Sequence, residues 1–344
     1  MTVYNSLGKV VDIHTHVYLP SLMDILRNRL VILPDEEQDE SLTKGRPIGS
    51  EYWSTPRKLQ FMDLHNIQTS VISTANPWLD FLKAEEQIEA ATKLNKDLSD
   101  ICLESDKRIY GFGILPLYSI KASIEEVNRI KGLFGLRGII MGTHGAGKGL
   151  DDPNLIPLFA EIERLDLVIF LHPHYGIGND KFGPHDFGHT LPLALGFTFE
   201  TTIAVSRLIL TGIFDKLPNL KFLLAHSGGT LPFLAGRLDS CVIHDPQMAG
   251  KLLEKPSFYL KKLYFDSVCY GESSLKCLLN FTSVDNVMWG TDNPFFPPLD
   301  VQNDVYEKPW LSVVENYDCM MYLDVADREK ILWKNANRIL NLEL

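Results

Sequence analysis

Residues 9–16 read KVVDIHTH, and this stretch decides the fold. Its valines and isoleucine predict a short buried strand, and side chains alternate along a strand. Asp12, His14 and His16 therefore share one face, opposite Val11, Ile13 and Thr15. Seven more runs of the same kind follow, at 69–76 (TSVISTAN), 109–116 (IYGFGILP), 135–142 (GLRGIIMG), 167–174 (LVIFLHPH), 221–229 (KFLLAHSGG), 263–270 (LYFDSVCY) and 287–294 (VMWGTDNP). Charged amphipathic segments such as 83–105 and 123–133 lie between them. Strands alternating with helices in this number predict an α/β protein, a single (β/α)8 TIM-type barrel across residues 1–344. An open doubly wound sheet is the alternative, but no G-x-G-x-x-G follows the first run to support a dinucleotide site.

Two connections are longer than ordinary turns: about 17–60 after the first strand and 175–200 after the fifth. Loops of that length serve as lids or binding loops. The first contains PDEEQDE (34–40), read as a solvated acidic stretch; the second, YGIGNDKFGPHDFGHTLPLALG, is too rich in Gly and Pro for a long helix.

Composition narrows the function. The 344 residues are 45% hydrophobic and 22% charged, which excludes a disordered chain. A formal charge of −11 argues against nucleic acid or an anionic membrane as partner, because phosphate binding needs clustered Lys and Arg. The five Cys (Cys102, Cys241, Cys269, Cys277, Cys319) form no CxxC pair and read as reduced thiols. No leader-like segment opens the sequence and no run approaches 18 apolar residues, so a cytoplasmic location is expected.

The chemistry lies at the ends of the strands. An isolated H-x-H is common by chance, and one such His is ordinarily a satisfied buried residue. Here His172 and His174 end the fifth run, His226 the sixth and Asp292 the eighth. Core packing prefers Val, Ile and Leu, whereas barrel enzymes place catalytic groups at these strand ends. His14, His16, His172 and Asp292 make a set of three nitrogens and one carboxylate that suits Zn²⁺ first and Mn²⁺ second. GTHGAGKGL (142–150) nearly spells a P-loop, but Gly149 stands where Ser or Thr would hold Mg²⁺.

DIHTH, LHPHYG, LLAHSGG and WGTDNPF, in that order, resemble the decarboxylase branch of the amidohydrolase superfamily. That branch includes the aminocarboxymuconate-semialdehyde and γ-resorcylate decarboxylases. GRPIGSEYWS, SVISTANPWLDFL, GAGKGLDDP, GHTLPLALGF, LLAHSGGTLPFLAGR and GTDNPFFPP are similar to the branch's fungal uracil-5-carboxylate (isoorotate) decarboxylases. The resemblance implies that His14, His16, His172 and Asp292 ligate one zinc with His226 beside it, and that Arg46, Asn76 and Phe295 hold a pyrimidine. It implies Asp292 as proton donor, with His226 assisting, no organic cofactor, a small carboxylated pyrimidine as partner and a homodimer or higher homo-oligomer. Asn293 departs from the His or Tyr often found at that position in the branch. A hydrolase opening a lactone or cyclic amide would use the same ligands, as would a decarboxylase of another ring acid. A ligand binder that kept the barrel is a third reading, which the complete ligand set disfavours.

Overall fold

The structure is a computed structural model that describes residues 8–28, 52–298 and 308–344. Eight parallel strands run in sequence order around one sheet: β1 (Val11–Val17), β2 (Thr69–Thr74), β3 (Ile109–Gly113), β4 (Leu136–Gly142), β5 (Val168–His172), β6 (Lys221–Leu224), β7 (Tyr264–Asp266) and β8 (Val287–Met288). All eight expected runs are strands. The two ends of the sheet meet without a regular ladder. Ile13 N–H donates to Trp289 O (3.1 Å), Asp292 N–H to His14 O (2.8 Å) and His16 N–H to Asn293 O (2.7 Å). These bonds close the (β/α)8 barrel, and they run through the residues expected to carry the chemistry.

Alternation sorts each strand. On β5, Phe170 and His172 point inward, and the Phe170 ring lies 5.0 Å from that of His14 and 5.2 Å from that of Phe112. Fully buried Phe112 and Phe170 thus make an apolar floor under the histidines. The outward faces meet helices such as Ala84–Glu104 and Ile120–Gly132, whose Leu94, Leu98, Val127 and Ile130 are buried. Ser119 starts the second of these by accepting a hydrogen bond from Ala122 N–H.

The long connections differ from expectation in one place. Residues 17–60 hold the helix Pro20–Asn28 and the start of Thr55–Leu64; the acidic 34–40 stretch lies outside the described residues. After β5, residues 175–191 form mostly loop with one short helical turn, but Pro192–Gly196 is a π-helical turn that runs directly into the helix Phe197–Leu210. The loop is therefore shorter than 175–200. Pro192 occupies the first turn, where its missing N–H is not needed. Pro192–Leu210 is long and apolar enough to cross a membrane by length and composition alone, but Glu200 and Arg207 interrupt it, so it is not the unbroken run of 18 apolar residues whose absence was expected. Its Glu200, Thr201, Val205, Leu208 and Ile209 are buried against the barrel.

Candidate active site

The C-terminal ends of β1, β5 and β6 and the turn after β8 converge on one point. His14 Nε2 lies 3.1 Å from His16 Nε2, and these two nitrogens lie 3.3 and 3.4 Å from Asp292 Oδ1. His226 Nε2 faces the other carboxylate oxygen, Oδ2, at 3.7 Å. Ligand atoms of His14, His172, His226 and Asp292 all lie within 4.8 Å of one another. The structure thus brings together five of the six residues singled out at the strand ends, His174 standing apart, and it groups the His226 ligand atom with those of His14, His172 and Asp292.

Each imidazole is aimed by its second nitrogen. His14 Nδ1 is 2.5 Å from Asp266 Oδ2, His172 Nδ1 is 2.8 Å from Pro173 O, and His16 Nδ1 is 3.0 Å from Ser73 Oγ. A proton on Nδ1 of His14 and His172 leaves Nε2 as the lone pair that faces the centre.

The cluster requires positive charge at its centre. His14 Nε2 and His16 Nε2, 3.1 Å apart, need a proton or a cation between them, and Asp292 Oδ1 is buried without a well-formed hydrogen bond among the described residues. Burial pulls His14 down, but the Asp292 and Asp266 carboxylates outweigh it and raise the imidazole to about 10. Burial opposes charge on Asp292 as well, yet His14, His16 and His226 hold its carboxyl well below the ordinary range. Burial lowers His16 to about 4 and puts His172 well below the ordinary imidazole range. Ligands at the usual Zn–N distance in a tetrahedron stand about 3.3 Å apart. The separations of 3.1–3.4 Å among His14, His16 and Asp292 Oδ1 match that edge. The residues fit a divalent ion.

The backbone around the cluster is unusual. His226, Ser227 and Asp292 have φ of +53°, +55° and +60°, the left-handed region that non-glycine residues rarely adopt. Asp266 holds two of them in place by accepting the N–H groups of His226 (2.9 Å) and Ser227 (2.7 Å).

A family model described as amidohydrolase matches residues 11–342. The chain belongs to the amidohydrolase family. The 2-amino-3-carboxymuconate-6-semialdehyde decarboxylase of Dictyostelium discoideum is 33% identical over 73% of this chain and 69% of its own. The γ-resorcylate decarboxylase of Rhodococcus jostii is 27% identical over 83% of this chain and 87% of its own. The crystal structure of Metarhizium anisopliae isoorotate decarboxylase (IDCase) in apo form superposes with a TM-score of 0.92, at 41% identity and 100% coverage of both chains. Within the amidohydrolase family these relatives are decarboxylases, which bears out the resemblance read from the strand-end motifs.

The expected substrate residues divide three ways. Arg46 lies outside the described residues. Asn76, half-buried at the end of β2, donates through Nδ2 to His174 O (2.5 Å), so its Oδ1 is the group left to meet a ligand. Phe295 stands at the site, its ring 5.6 Å from that of His16. Among the remaining histidines, His174 is buried, paired with Asp80 and stacked on His144 at 4.4 Å. Gly142 on β4 leaves room for that ring: a Cβ there would overlap both His174 and Trp78. Gly142→Ala is expected to destabilise the protein by about 1–3 kcal/mol, read as a lower Tm. Metal content should remain at the wild-type level, since His172 Nδ1 bonds to Pro173 O rather than to this ring.

Three supporting residues were not found from the sequence. Asp266 is one. Glu200 is another; its carboxylate accepts from Thr143 Oγ1, His174 N–H and Gly176 N–H, pinning the loop after β5. Lys58, from the helix Thr55–Leu64, is buried and donates to Thr15 Oγ1 and to Asn293 Oδ1 (2.6 Å). Burial lowers its ammonium to about 8, although Asp12 works in the opposite direction. This gives Asn293 a role: its amide oxygen takes the Lys58 ammonium at the seam between β8 and β1.

Proposed function

We propose that this amidohydrolase is a metal-dependent, non-oxidative decarboxylase that converts 5-carboxyuracil (isoorotate) to uracil and CO₂. The observation that carries the reading is the cluster of His14, His16, His172, His226 and Asp292 at the mouth of a barrel that superposes throughout on a fungal isoorotate decarboxylase. His14, His16, His172 and Asp292 would hold the ion, with zinc favoured by the nitrogen-rich set and manganese as the alternative. A divalent ion held by these residues would supply Lewis-acid stabilisation of the negative charge that develops on the substrate.

Loss of CO₂ from a ring carbon otherwise leaves a vinylic carbanion too basic to form at neutral pH. A proton must reach that carbon as the C–C bond breaks. Asp292 is the donor in this proposal: ionised in the free enzyme, it takes up one proton from solvent once substrate is bound and passes it to the carbon that loses CO₂. Its two oxygens have different surroundings: Oδ1 faces His14 and His16, whereas Oδ2 faces His226. His226 is placed to steady Oδ2 or to pass a proton to it. Phe295 offers a face or edge to a flat ring, and Asn76 Oδ1 accepts from a ring N–H. Arg46 would fork onto a carboxylate.

The test is product analysis. Metal-loaded protein given 5-carboxyuracil should yield equal amounts of uracil and CO₂ without any organic cofactor. A ring-opened acid as product would instead establish a hydrolase. Chelation should lower turnover at least 100-fold, and zinc or manganese should restore it; activity that survives verified metal removal would exclude the reading.

A further inference from the structure

The barrel mouth buries several polar atoms that make no well-formed hydrogen bond among the described residues: Asp292 Oδ1, His226 Nδ1, His174 Nδ1 and the Tyr270 hydroxyl. The first two belong to the histidine–carboxylate cluster. His174 Nδ1 is pressed against the backbone at Gly142. Tyr270 has no such explanation. It lies four residues beyond Asp266 at the end of β7, on a left-handed backbone with φ +55°. That backbone is held by a buried amide: Tyr270 N–H donates to Asn316 Oδ1 (3.2 Å), and Asn316 Nδ2 donates to Gly290 O (3.3 Å), two residues before Asp292. The Tyr270 ring stands edge-on to Phe296, centroids 5.7 Å apart, in the segment just beyond Asp292.

One polar network therefore fixes Tyr270 against the segment that carries Asp292. Its conformation is uncommon and its hydroxyl is shielded from water, a combination that accumulates at ligand sites. Burial, followed by the Asp292 and Asp266 carboxylates, pushes the phenol well above its ordinary range. It stays protonated at neutral pH and so has a hydrogen-bond donor to offer.

We propose that Tyr270 is a substrate-binding residue whose hydroxyl donates a hydrogen bond to an oxygen, carboxylate or ring-borne, of the acid bound beside Asp292. The proposal rests on the decarboxylase reading above and adds a contact to it. Such a donor favours a ring that presents an oxygen on the β7 side and disfavours one that presents a C–H there, because the hydroxyl would then stay unpaired.

Tyr270→Phe removes only the oxygen, and two measurements decide the matter. Metal-loaded wild type and variant are compared in thermal unfolding and in steady-state turnover of 5-carboxyuracil and of 2,6-dihydroxybenzoate. The expected result is a Tm equal to or above that of wild type, together with a fall in kcat/KM of about 10- to 100-fold, carried mainly by KM. A structural hydroxyl cannot give that pair of signs. A Tm several degrees lower overturns the proposal, since the oxygen would then have a partner in the protein. An unchanged Tm with unchanged kcat/KM also overturns it. Failure of the wild type on both acids overturns the decarboxylase reading, and this assignment with it; the wild-type arm separates that result from the others.

Discussion

Asp292→Asn is expected to lower kcat by about 10²- to 10⁴-fold while the protein still folds and still takes up metal. The substitution keeps the shape of the side chain and leaves an amide oxygen able to face His14 Nε2 and His16 Nε2, at 3.3 and 3.4 Å from the present Oδ1. It removes the charge that raises His14 and, more important, any capacity to carry a proton to carbon. KM should change less than kcat, because the loss falls on the transition state. Metal content by elemental analysis and uracil formation by chromatography are the two readouts. Turnover in D₂O adds a check on the wild type: the new hydrogen on the ring carbon should be deuterium. A variant that keeps more than about a tenth of wild-type kcat, with full metal content, would remove Asp292 from the proton-donor role.

The strand ends were legible because two signals coincide there. A β-branched run announces a strand, and a His or Asp at its end breaks the packing rule that the rest of the run obeys. His14, His16, His172, His226 and Asp292 all satisfy both conditions, and the barrel brings them together. Asp266 satisfies them too, as the last residue of β7, but a single Asp in YFDSV resembles an ordinary polar strand terminus. Its importance lies in partners that are distant in sequence, His14 and His226. Lys58 was hidden for another reason. Helix-forming lysines usually face water, and nothing local shows that this one reaches into the β8–β1 seam. The boundary near residue 192 was misread because Pro signals a break within a helix yet is accepted in its first turn. Distance in sequence and position within an element, rather than residue type, separate what was read from what was missed.

Asp266→Asn should have the largest effect outside the ligands themselves, and it should appear in stability and metal affinity together. The carboxylate accepts four hydrogen bonds, three from buried donors and one from the half-buried His226. Oδ2 takes His14 Nδ1 (2.5 Å) and His226 N–H (2.9 Å), and Oδ1 takes Ser227 N–H (2.7 Å) and Val268 N–H (3.1 Å). An amide has one oxygen for these four donors. Whichever way it turns, its NH₂ meets two N–H groups, so at least two donors lose their acceptor. Each such group costs about 1–3 kcal/mol, which gives a loss of roughly 2–6 kcal/mol. If the NH₂ faces His14, the imidazole relieves the clash by moving its proton to Nε2, and the nitrogen aimed at the cluster ceases to be a ligand. If it faces Ser227 and Val268, the consecutive left-handed residues His226 and Ser227 lose the acceptor of the Ser227 N–H, and His226 leaves its place opposite Asp292 Oδ2. Either route weakens metal binding by about 10- to 100-fold. Competitive titration against a chelator measures that change, and thermal unfolding of the chelator-treated protein measures the stability loss separately. A variant that melts early but binds metal like wild type would make Asp266 a brace for the His226 turn alone. One that binds weakly yet melts normally would confine its role to the His14 tautomer. The shared oxygen, with His14 and His226 both on Oδ2, argues that the two losses occur together.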